Sequence, residues 1–170
     1  MNREELNAYI DNCYLMGNVV DESNQLVNAF CQLPDYPDPE FLLDSVCIDG
    51  LYFKKDEENK IHLIYCDTKG KDLDLGDCVD VIDDTCNGSL QFINITMNSV
   101  KVLPMWAFMN TPVQTFRGDE VEVVEERAFC GCTKLRKLIL PKAKVIFQHG
   151  SYSYSRVKII APKECKFIVV

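Results

Sequence analysis

The residues best suited to chemistry are a cysteine pair, two histidines and two carboxylate pairs. Cys130 and Cys132 stand two apart and His149 follows them. Thiolate and imidazole are the ligands zinc prefers, so these three with one further Cys have the makings of a tetrahedral site. A second closely spaced Cys pair is absent from the sequence, however, and it contains only two His. Cys130 with His149 as its base would form a nucleophile, but such a base needs an orienting group, and no local context marks one. Asp83-Asp84 and Glu125-Glu126 have the composition for acid and base work or for calcium. Each pair closes a Val-x-Val-[Ile/Val] segment, VDVIDD and VEVVEE, which reads as a repeated solvent-facing position. A glycine-rich phosphate loop and a His-Glu-x-x-His helix are both missing. The expectation is a protein without catalysis, metal or cofactor.

The elements that would carry these residues repeat. Val-x-Val-[Ile/Leu/Val] begins at Val79, Val100 and Val121, and AKVIFQHGS begins with the same shape at Ala143. The starts are 21, 21 and 22 residues apart. A second register lines up Leu90-x-x-Ile93-x-Ile95, Val113-x-x-Phe116, Leu135-x-x-Leu138-x-Leu140 and Val157-x-x-Ile160, with Gly, Pro, Asn and Thr between the halves. Two short apolar segments and a turn every twenty-odd residues indicate a solenoid of the leucine-rich kind, whose coils bury their apolar faces only by stacking. Phe108 and Phe129 should fill the interior at one corner, with Cys86 and Ser151 as smaller occupants. Cys132 fits the same interior, beside a Gly that allows the bend.

The stretch AFCGCTKLRKLILP, ending at Pro141, strongly resembles the repeat of BspA-type leucine-rich proteins, roughly Ala-Phe-x-Gly-Cys-x-x-Leu-x-x-Ile-x-Ile-Pro followed by Val-x-x-Ile. Residues 121–141 match it almost fully. Residues 104–118 keep Ala107 and Phe108 without the Gly-Cys pair, and residues 149–162 keep the apolar interval and Pro162. Residues 51–77 resemble the hairpin that opens such arrays, so the likeness spans about 51–165. It implies a non-catalytic scaffold for protein recognition, found on bacterial surfaces and in eukaryotic microbes.

Before the array, Asn2 and Glu5 form a capping-box pattern ahead of Leu6, Tyr9, Ile10 and Cys13 on one helical face. Asp21 or Ser23 can start a second helix with Leu26, Val27 and Phe30 inward, and Phe41 to Val46 suggest a short third one after the PDYPDPE break. Fifty residues support little core alone, so they read as a cap over the exposed end of a solenoid. The expected fold is α+β: an N-terminal helical cap over 1–50, a capping β-hairpin over 51–78 and a leucine-rich-repeat-like solenoid of about four coils with short parallel strands over 79–170.

With 47% apolar and 26% charged residues, the 170-residue chain is an ordinary globular protein. It contains no apolar run long enough to span a membrane, and its start lacks the features of a secretory signal, so it reads as cytoplasmic. A longer precursor with an export signal would make it a surface adhesin. Nine scattered cysteines cannot all pair within one chain and read as mostly reduced core thiols. The net charge of −8 conceals an asymmetry: residues 125–170 carry ten Lys or Arg against three Glu. That polarity can orient partners or neighbouring copies of the chain. Basic residues near Tyr152 and Tyr154 would suit nucleic acid, but overall acidity opposes it.

Alternation along the strands selects the contact surface. With Leu135, Leu138 and Leu140 inward, Lys137 and Ile139 face out, and the equivalent positions are Phe92, Asn94, Thr115, Arg117 and Ile159. Together with Arg136 and Lys158 they form a stripe of apolar anchors and cations that suits a protein partner. Two other classes remain beside this one, a metal- or thiol-dependent activity and an inhibitor of another protein.

Overall fold

The computed structural model describes residues 1–25, 27, 39–86, 88–148 and 156–170. The chain is a parallel β-solenoid of about five turns, closed at its N-terminal end by a helix and an antiparallel sheet. Helix α1 (Arg3–Met16) starts at the expected capping box, with the Asn2 side chain accepting from the Glu5 backbone N–H and Glu5 accepting from that of Asn2. Leu6, Ile10 and Cys13 are buried. Tyr9, expected on the same face, is instead exposed, because one narrow stripe suffices to close the end of the stack. Arg3 forks onto the Asp80 carboxylate at 2.7 and 2.9 Å, and Lys55 pairs with Asp11 about two turns further on, so the helix is pinned at two points.

The expected second helix falls largely outside the described residues. A single 3-10 turn, Pro39–Leu42, replaces the third, since the chain must then extend into strand β1 (Val46–Ile48). β1 pairs antiparallel with β2 (Leu51–Lys55), and β2 with β3 (Ile61–Cys66), the hairpin read from the sequence with an extra strand at its edge. Asp56 organises the hairpin turn, accepting from the backbone N–H groups of Glu58 and Lys60 at 2.9 Å.

The array begins one coil earlier than the repeats suggest. β3 already pairs in parallel with β5 (Val81–Ile82), and β4 (Lys69–Gly76) pairs in parallel with β6 (Gln91–Met97). Further coils follow as β7 (Val102–Leu103) with β8 (Thr115–Arg117), β9 (Val123–Val124) with β10 (Lys137–Ile139), and β11 (Val145–Gln148) with β12 (Lys158–Ile160). The last strand is β13 (Lys166–Val169). One flank is a five-stranded parallel sheet in the order β12-β10-β8-β6-β4, and the other a four-stranded parallel sheet, β13-β11-β9-β7. The Val-x-Val segments from Val100 on thus build a second parallel sheet, while the first, in β5, extends the hairpin sheet.

The interior follows the repeat. Val79, Val100, Val121 and Ala143 are buried in successive coils, as are Ile82, Leu103, Val124 and Ile146. Ile95, Phe116 and Leu138 are register partners on the opposite wall. At the corner, Phe108 and Phe129 stack with centroids 4.8 Å apart and planes at 7°, and Phe116 sits against both. Cys86 is buried there too, while Ser151 lies outside the described residues. Cys132 donates its Sγ–H to the Phe108 carbonyl at 2.7 Å, so burial of the thiol is satisfied by a hydrogen bond that bridges coils. Gly131 has φ +75° and would set a Cβ 2.0 Å from Asn110 Oδ1, the reason this corner takes Gly before Cys.

Candidate protein-binding surface

Parallel pairing turns single residues into rows that cross the coils. On the five-stranded sheet one row runs Asp72, Asn94, Thr115, Lys137, Lys158. The next runs Asp74, Thr96, Arg117, Ile139, Ile160. All ten residues are exposed or half-exposed, so both rows face outward. Asn94 donates to Asp72 at 2.7 Å and Arg117 pairs with its neighbour Asp119, whereas Lys137 and Lys158 have no ion-pair partner among the described residues. These two rows are bipolar, with Asp72 and Asp74 on β4 and Lys137 and Lys158 beside half-exposed Ile139 and exposed Ile160 on β10 and β12.

Seven of the nine predicted contact residues, Asn94, Thr115, Arg117, Arg136, Lys137, Ile139 and Lys158, lie on this face or its margin. Arg136 donates to the Thr133 and Leu135 carbonyls, which holds its guanidinium against the corner of its own coil. Phe92 does not belong to the surface. It is 6% exposed and part of the core, with its ring over Gly70, where a Cβ would come within 2.9 Å of it. The structure pairs Ile95, not Ile93, with Phe116, so Phe92 takes the interior position held by Val113 one coil on, and Ile93 is half-exposed. Ile159 is also corrected: its partner is Leu138 and it packs against the core, while Ile160 takes the outward place beside Ile139.

Cys132 is sealed in the interior and burial pushes its thiol up to about 11; Cys86 is pushed up to about 12 for the same reason. Thiols raised this far are protonated at neutral pH and poor nucleophiles. Cys130 is half-exposed, and His149 lies outside the described residues. Cys13, Cys47, Cys66, Cys78, Cys86, Cys130 and Cys165 form no disulfide among the described residues. Among the described residues no group of three or more His, Cys, Asp or Glu is placed to hold a metal ion, and no helix is long and apolar enough to cross a membrane.

The carboxylate pairs are partly structural. Asp83 accepts from the Thr85 backbone N–H at 3.1 Å and hydroxyl at 2.9 Å, starting the 3-10 turn Asp84–Cys86, and Glu125 accepts from the Met105 backbone N–H at 2.9 Å. A hydrogen bond to Asp83 raises the Asp84 carboxyl above its usual range. Sequence reading passed over His62, which sits between Asp56 at 3.1 Å and Asp83 at 3.8 Å. The strand pairing of β3 with β5 creates that cluster, so only knowledge of the register would have revealed it. It contains no nucleophile and it ties the hairpin turn to the next coil.

Comparison with protein-family models, with curated proteins and with solved structures finds no match to this chain.

Proposed function

We propose that the chain is a non-catalytic protein-interaction module, a short member of the BspA-type leucine-rich solenoids, that grips a partner with the outward face of its five-stranded sheet. The observation that carries this reading is the juxtaposition of Lys137 and Lys158, without an ion-pair partner among the described residues, with outward Ile139 and Ile160 on adjacent rows of one sheet. Rigid strands present side chains without an ordering cost on binding, and apolar anchors ringed by cations fit an acidic protein surface with an apolar centre. The repeat likeness at 121–141 supports the same conclusion, because leucine-rich solenoids serve recognition.

The test compares the wild-type chain with a Lys137→Glu/Ile139→Asp double variant, each immobilised and exposed to lysate, with bound proteins identified by mass spectrometry. The expected result is a protein captured by the wild type and lost from the variant while the melting temperature stays within a few degrees. Equal capture by both would discard this face as the binding surface.

A further inference from the structure

The two ends of the solenoid are unlike in charge and alike in exposing apolar side chains. Twelve large apolar residues are exposed among the described residues. Five lie on the N-terminal cap, Met1, Tyr9, Tyr14, Leu15 and Met16, and five at the far end, Ile160, Phe167, Ile168, Val169 and Val170. Val102 and Trp106 are the two that lie between, so among the described residues the exposed apolar side chains are concentrated at the ends. Leu15 is 83% and Val169 70% exposed, and each stands among other exposed apolar residues of its end.

Charge distinguishes the ends. Residues 1–80 carry 18 Asp or Glu against six Lys or Arg, and residues 156–170 carry four Lys or Arg against one Glu. At the cap, Glu4, Glu5 and Asp11 are exposed on α1, and an open groove of about 640 Å³ beside the helix is lined in part by Met1, Glu4, Asp74 and Asp77. At the far end, Arg156, Lys158, Lys163 and Lys166 have no ion-pair partner among the described residues. Among the described residues β12 and β13 are the terminal strands of their sheets, and no described strand pairs with their outer edges. The row that ends at Lys158 begins at Asp72, so moving one copy along the solenoid axis onto another brings opposite charges together in the same row.

We infer that this chain associates with itself head to tail, the cationic apolar end of one copy seating on the acidic cap of the next. Two surfaces of one sign would repel in an end-to-end pair of the symmetric kind, at either end. A heterologous contact repeats until it closes, so the association is open-ended and gives a ladder of species, not a fixed dimer. This contact shares Lys158 and Ile160 with the outward sheet face proposed above, but it is centred on β13 and the cap and does not use Lys137 or Ile139.

Sedimentation velocity on the full chain tests it. The wild type should show a weight-average mass that climbs with concentration at low salt and climbs less at high salt. Leu15→Glu and Phe167→Glu should each remain monomeric, because each spoils one end. An equimolar mixture of the two should form a heterodimer and nothing larger, since only one productive pairing of ends remains. If Phe167→Glu does not melt like the wild type, Lys166→Glu takes its place. A wild type that is monomeric throughout, a Leu15→Glu mass equal to that of the wild type, or a mixture without heterodimer overturns the inference. The Lys137→Glu/Ile139→Asp variant should self-associate like the wild type, which keeps this result independent of partner capture.

Discussion

Phe129→Ala probes the joint between coils. The Phe129 ring is fully buried, stacks on Phe108 at 4.8 Å and meets Phe116 edge-on at 5.8 Å, three rings contributed by different positions of adjacent coils. Truncation removes the ring and leaves a cavity that the flanking strands cannot close without breaking their backbone ladder. Buried Phe→Ala changes cost about 3–5 kcal/mol. Lost ring–ring contacts of about 0.5–1.5 kcal/mol each are included in that figure. For a domain of this size, about 2–4 °C of melting temperature per kcal/mol translates this into a fall of roughly 6–20 °C. Urea unfolding followed by far-ultraviolet circular dichroism provides the free energy, with the slope m expected to hold. Native-state hydrogen exchange should also show β7 to β10 losing protection together, because the cavity is shared between their coils. A loss below about 1 kcal/mol would refute the reasoning, since the three rings would then not form a packed joint.

Gly131→Ala should destabilise the chain and lower its melting temperature, because the added Cβ meets Asn110 at a positive φ; an unchanged melt would mean that the corner is not rigid. Stability should fall as pH rises above about 9. Burial holds Cys132 up to about 11 and Cys86 up to about 12 in the folded state, while in the unfolded chain both thiols ionise near their ordinary value. Each raised thiol contributes stability that is complete below the unfolded value and disappears as pH climbs toward the folded one. Melting temperatures recorded from pH 8 to 11 should therefore decline, and a Cys132→Ala variant should decline less steeply.

Much of the fold was legible because the pattern of Val79, Val100, Val121 and Ala143 admits one spacing only, and all four are interior. The same holds for Leu135, Leu138 and Leu140. Register was harder between 90 and 97, where Leu90, Phe92, Ile93, Ile95 and Met97 fit two frames equally well in composition. Hydrogen bonding to the next coil chose the frame that hides Phe92. Adjacent Ile159 and Ile160 posed the same problem, as hydropathy cannot tell two isoleucines apart. The first coil was invisible because KGKDLDLG, with Leu73 its one buried residue, lacks the apolar interval and is recognised only by its pairing with β6. The candidate surface was therefore readable where cations alternate with leucines, and misread where every residue is apolar.

The account depends on strict alternation across stacked coils, and Leu138 with its neighbour Ile139 tests it most directly. Leu138 is fully buried between Phe116 and Ile159, while Ile139 faces out beside Arg117 and Ile160. Thermal melts of Leu138→Asp and Ile139→Asp should diverge. The first buries an unpaired carboxylate and should abolish the cooperative transition; the second should stay within about 1 kcal/mol of the wild type. Similar melting of the two variants would contradict the stacked solenoid and its outward face together.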